Sequence, residues 1–243
     1  MRAVHVLAIC VMATIGSAAS AQEVDWKKVD EAIGRSAAVV AGDVHRYGFP
    51  RTDLTVTLDG VTIKPALALG SWTAFKPVHG GAMVMGDLVL LQTEINPVMA
   101  KLIANGLEIT AVHNHLLRAD PLTFYMHVGG HGDPVKLATA IRAGLGESKT
   151  PLTPPAAPAA QPTIDLDTAQ LDQITGDFVL TADEVNPVIK ALRSNGIEVT
   201  AVHSHMLNEQ PRLFFMHFWA NDDAVKLAKG LRAALDKTAS TKS

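Results

Sequence analysis

Ninety residues apart, this chain writes nearly the same sixty residues twice. Residues 86–145 align with 176–235 without a gap, and 30 of the 60 positions are identical. Agreement on that scale is far beyond chance. It predicts an internal duplication, two copies of one folding unit, and so limits the folds to those that can be built twice.

Each copy reads the same way. "GDLVLLQ" and "GDFVLTA" have the β-branched, apolar character of strands. "INPVMAKLIANG" and "VNPVIKALRSNG" read as helices, with Asn96 and Asn186 as caps, Pro97 and Pro187 at the first helical position, and Gly106 and Gly196 as stops. "LEITAVHNHLL" with "PLTFYMHV", and "IEVTAVHSHML" with "RLFFMHFW", read as strand pairs. A last helix starts at Asp133 or Asp223 and carries apolar residues at helical spacing. The order β-α-β-β-α is most of a ferredoxin-like unit. The expected fold class is therefore α+β, with tandem duplicated ferredoxin-like units packed as a pseudo-dimer and an extra N-terminal, strand-containing segment.

The flanking sequence sets the domain limits. Residues 1–21 combine an Arg, an apolar run and an Ala19-Ser20-Ala21 ending, which reads as a secretory signal cut after Ala21. The run is too short for a permanent membrane span. Cleavage would remove Cys10, the only cysteine, leaving a periplasmic or secreted protein without disulfide or thiolate chemistry. Residues 22–146 form the first unit, with its repeat at 86–145. Residues 147–164 are a Pro/Ala-rich linker, 165–236 the second unit with its repeat at 176–235, and 237–243 a flexible tail. Residues 24–85 precede only the first copy and include "TDLTVTLDGVTIKP", a hairpin turning at Asp59-Gly60. "VDWKKVDEAIG" loosely matches "IDLDTAQLDQITG" before the second copy. The net charge is −3 and no basic run is interleaved with aromatics, which argues against a nucleic-acid partner.

The motif that carries chemistry is His-x-His, written in "AVHNHLL" and again in "AVHSHML". Alternation along a strand puts His113 and His115 on one face, and His203 and His205 likewise. A hairpin symmetric about Asp120 sets His113 opposite His127 and His115 opposite Tyr125. The second copy repeats this with His203 opposite His217 and His205 opposite Phe215. The other face is oily, with Val112, Leu116, Phe124, Met126 and Val128 in copy one, and should receive the helices. Glu94 and Glu184 end the first strand of each unit. Two clusters are therefore expected: Glu94, His113, His115 and His127; and Glu184, His203, His205 and His217. Three imidazoles and a carboxylate suit a divalent transition metal: Zn, Mn, Fe or Cu. A bound ion would leave room for water or a small-molecule ligand, but the sequence assigns no catalytic residue and no reaction.

Two plainer readings stand beside this one. The rings can stack as a metal-free seam between the repeats, forming a ligand-binding or assembly module. They can also make that seam pH-sensitive, since histidine titrates near neutrality. Other candidates carry less. Arg51 and Asp53 can clamp a carboxylate but read first as a surface ion pair, and His45 and His79 as surface residues before ligands. His131 becomes Asn221 in copy two, so a shared site does not need it. Trp72, Trp219 and Phe75 read as core before pocket.

The two repeats, with "FPRTDL" and "GSWTAF" ahead of them, resemble the LppY/LpqO-type family of exported bacterial proteins over nearly all of the mature chain. The resemblance implies export and the repeat architecture and supplies no catalytic residues. The chain departs from that pattern in lacking a lipobox. Its second repeat also lacks a strand-rich segment between "LDQI" and "TGDFVL".

Overall fold

A computed structural model describes residues 24–153 and 173–239. The expected signal peptide, residues 154–164 of the linker and residues 240–243 of the tail lie outside the described residues. The fold is mixed α+β with antiparallel sheets.

The first half opens with α1 (Trp26–Ile33), capped by Asp25, whose carboxylate accepts from the Lys28 N–H. Strands β1 (Ala38–Val40), β2 (Val44–Pro50), β5 (Gly70–Val78), β6 (Gly81–Leu91), β7 (Glu108–His113) and β9 (Thr123–Gly132) make one sheet in the order β1-β2-β5-β6-β9-β7. Helices α3 (Gln92–Ala104) and α4 (Pro134–Leu145) cover one face of it. Their Val98, Leu102, Leu137 and Ile141 pack with Leu88, Leu90, Met126 and Val128 in one fully buried cluster. Helix α1 docks beside α4, where Arg142 donates to the Ile33 carbonyl at 2.7 Å. A small second sheet joins β3 (Val56–Leu58) to β4 (Val61–Ile63) and to β8 (Ala119–Asp120). The β3–β4 turn falls at Asp59 and Gly60 as expected, both at positive φ (52° and 82°). A short helix, α2 (Pro65–Ala68), follows.

The second half is shorter: β10 (Gln173–Leu180), α5 (Ala182–Ser194), β11 (Glu198–His203), β12 (Phe214–Asn221) and α6 (Ala224–Leu235). Its sheet order, β10-β12-β11, is that of β6-β9-β7 in the first half. The final helices start where the sequence placed them, with Asp133 and Asp223 accepting from the Lys136 and Lys226 N–H groups. The halves are joined by packing. Trp219 of β12 is 4% exposed in a cluster with Val56, Leu58, Leu69, Val89 and Tyr125 of the first half. Arg118 clamps Asp59 and Glu198 through four hydrogen bonds of 2.8–2.9 Å. Being half exposed, that clamp adds less to stability than the buried tryptophan.

Three local expectations are corrected. Helices α3 and α5 begin five residues before Pro97 and Pro187, at Gln92 and Ala182, so both prolines lie inside a helix rather than at its start. The hairpin register also differs: Ala111 is opposite His127 and His113 opposite Tyr125, with a bulge between Ile109 and Ala111. The second half repeats this, with Ala201 opposite His217 and His203 opposite Phe215. The slip is two residues, an even number, so every side chain keeps its face. The strand then ends at His113, and Leu116 joins the cluster around Trp219 instead of the helix-covered core.

Candidate metal centre

The sheet faces left bare by the helices meet each other, and the six histidines meet there. His113 lies against His203 with ring centroids 3.5 Å apart and the rings tilted by 37°, while His115 stacks on His217 at 3.6 Å and His127 on His205 at 3.6 Å. These contacts obey the ninety-residue relation: exchanging each residue for its counterpart turns the second pair into the third. His115 also lies on Tyr125 (3.4 Å) and His205 on Phe215 (3.5 Å). The seam is thus two-fold symmetric about the His113–His203 pair.

One nitrogen from each of His113, His115, His127, His203 and His205 lies within 4.8 Å of the others. Ligands held at about 2.1 Å around one ion lie within about 4.2 Å of each other, so this group is close to a coordination shell. The Nε2 atoms of His113, His115, His127 and His217 and Nδ1 of His203 are buried, with no hydrogen-bond partner among the described residues. His203 and His205 share one hydrogen bond, Nε2 to Nε2 at 2.9 Å, so one ring donates and the other accepts. Burial first, and then repulsion between neighbouring rings, pulls His203, His205 and His217 down to about 3. His115 and His127 are lowered by the same causes, and His113 by burial. The cluster is therefore neutral at pH 7, the protonation state in which imidazole ligates metals.

The two glutamates are elsewhere. Glu94 was expected to converge with His113, His115 and His127, but it sits in the first turn of α3. There its carboxylate accepts from Arg51 (2.8 and 3.2 Å), from the Leu91 N–H and from the Lys149 N–H. Burial raises its pKa, and these donors outweigh burial and hold it below the usual range. Arg51 is 0% exposed and also holds Asp53 and the Val89 carbonyl, so the pair read as a surface contact is an internal anchor. Glu184 likewise turns back to the Thr181 N–H and hydroxyl and to the Ala239 N–H. A carboxylate three residues into a helix finds its own N-terminal amide donors before it finds a neighbouring strand. The two clusters expected, one per repeat, are instead one cluster drawn from both halves.

Asp87 and Asp177 take the place beside the histidines. Asp87 is the strand neighbour of His127, and Asp177 that of His217. Asp87 is 8% exposed, its Oδ1 has no hydrogen-bond partner, and the nearest imidazole nitrogen, His127 Nε2, is 4.0 Å away. Burial, and then the charge of Asp177, pushes Asp87 up to about 8, and burial raises Asp177 as well. Neither aspartate is among the ligands expected from the sequence. The available signal was a charged residue in mid-strand, retained in "GDLVLL" and "GDFVLT".

Both aspartates, with His115, His205 and His217, line a chamber of about 550 Å³. Its outer wall comes from the N-terminal segment, including Pro50, Leu67 and Trp72, with Arg46 stacked over the Trp72 ring at 5.2 Å. Trp72 therefore faces a pocket, whereas Phe75 and Trp219 are core. His45, read as a surface residue, is buried against Trp26 with ring centroids 3.5 Å apart.

These features define an α+β chain in which two of the three antiparallel sheets meet across a histidine-lined seam. The chain belongs to the family described as a Domain of Unknown Function (DUF1259), which it matches over residues 27–147 and 167–237. No curated protein matches it. Among solved structures it is similar to PduB, a trimeric bacterial microcompartment shell protein, at 12% identity and a TM-score of 0.26, covering 84% of this chain and 90% of that one. It is also similar to EtuB from Clostridium kluyveri at 8% identity and a TM-score of 0.24, covering 83% and 90%. Likenesses this faint carry no argument about function. Among the described residues no helix is long and apolar enough to cross a membrane.

Proposed function

We propose that this is an exported protein of LppY/LpqO type, built from two duplicated ferredoxin-like units, that binds one divalent transition-metal ion in the imidazole cluster of the seam. The observation that carries the metal reading is the set of orphaned nitrogens. Buried imidazoles without partners cost about 1–3 kcal/mol each unless something occupies them, and an ion among five converging nitrogens satisfies several at once. An all-nitrogen set favours Zn or Cu over Mn or Fe, and such an ion would supply Lewis-acid or redox chemistry. Export rests on residues 1–21, and the duplication on the sixty aligned positions with their common strand order.

The second reading is a metal-free seam, and the two ring stacks at 3.6 Å favour it directly. Elemental analysis of untagged mature protein, beside a His113→Ala/His203→Ala variant, separates the two. Near-stoichiometric metal in the wild type, lost in the folded variant and accompanied by a fall in Tm on chelation, supports the ion. No uptake after Zn, Mn, Fe and Cu are offered in turn refutes it and leaves the seam as packing.

A further inference from the structure

Eight donors face the seam, but the compact imidazole group uses only five of them. Asp87, Asp177 and His217 remain, and all three line the chamber. We propose that these three form a second cation site, separate from the imidazole group, which takes a first-row divalent ion such as Mn(II) or Fe(II) from the chamber.

Two carboxylates facing one chamber hold each other's protons on, and a cation between them lets both ionise. Asp87 is more than nine-tenths buried, and its Oδ1 has neither a hydrogen-bond donor nor a cationic side chain in contact. His217 is 6% exposed, and its Nε2 is equally unpartnered. Asp177 is paired with His217 across β10 and β12, which places an oxygen and a nitrogen donor side by side on adjacent strands. Asp87 approaches from β6, in the opposite half. Two anionic oxygens and one imidazole are a donor set for Mn(II) and Fe(II), harder than the all-imidazole group. The chamber leaves the remaining coordination positions to water or to a ligand oxygen. It also explains what the N-terminal segment adds: β2, α2 and β5 wall off this mouth of the seam.

The test is a Mn(II) titration of the full mature chain followed by electron paramagnetic resonance, in which the six-line signal of free aqueous Mn(II) disappears on binding. The wild type should bind one Mn(II), also when zinc has been added first. Asp87→Asn and Asp177→Asn should each weaken Mn(II) at least tenfold. Both keep the side-chain shape, and circular dichroism checks that they fold. His113→Ala/His203→Ala, which breaks the imidazole group, should still bind Mn(II). Failure of the wild type to bind Mn(II), or unchanged affinity in both asparagine variants, overturns the proposal. Zinc uptake and its loss in the double histidine variant are read separately, so the imidazole reading stands or falls on its own.

Discussion

Asp87→Asn should make the metal-free protein more stable. The carboxyl is held at about 8 in the fold, against about 3.9 in an unfolded chain. The sign follows from proton linkage. A group whose folded pKa is raised contributes stability that is fully present below its unfolded pKa and is lost as pH rises through the folded value. At pH 7 the folded state must keep a proton that the unfolded state has released. The difference is about three pH units at about 1.4 kcal/mol each, or about 4 kcal/mol against folding. Asparagine fills the same space without that cost. In a domain of this size the gain raises Tm by about 8–16 °C. Melting curves followed by circular dichroism in chelator should show the gain at pH 7 and lose it by pH 4. Equal or lower stability of the variant at pH 7, or a gain undiminished at pH 4, would refute the reasoning. A residue that costs this much yet recurs ninety residues on as Asp177 fits a ligand better than a packing element. With an ion bound beside Asp87 the order of stability should reverse.

Three further outcomes are expected. His217 has a folded pKa of about 3, so its stabilising contribution is complete above about 6.5 and declines as pH falls towards 3. His217→Phe should therefore be less acid-sensitive by about 2 kcal/mol at pH 5, read from urea melts at pH 7.5 and 5 in chelator; parallel pH profiles would contradict this. Arg51→Met strands the Glu94 carboxylate in the core and should cost about 3–5 kcal/mol, whereas Arg118→Ala should cost at most about 1 kcal/mol; urea midpoints decide, and equal losses would contradict the burial argument. At Gly86 an added Cβ would lie 2.8 Å from Thr73 Cγ2 and 2.9 Å from the Trp72 carbonyl. Gly86→Ala should therefore lose about 1–3 kcal/mol through strand displacement, and an unchanged Tm would show that β5 and β6 separate freely.

Much of the fold is local and was therefore legible. Strand alternation, the Asp133 and Asp223 caps and the Asp59-Gly60 turn depend on neighbouring residues alone. The shared face of His113 and His115 survived even a wrong register, because the slip was even. Pro97 and Pro187 misled because capping propensity gave way to a carboxylate: Glu94 and Glu184, three residues into each helix, bind the amides at its start and move that start five residues earlier.

The site divides along the same line. Six histidines at matched positions, and the face they occupy, were fixed by the order of residues, since side-chain direction in a strand follows from parity. Which carboxylates accompany them was decided only by tertiary structure. Arg51, forty-three residues from Glu94, captures that glutamate in the core, while strand pairing sets Asp87 beside His127 and Asp177 beside His217. Nor does the sequence of either half say that its histidines will lie against the other's, so that two expected sites become one seam. That depends on two sheets, each covered by helices on one side only, burying their remaining faces against each other.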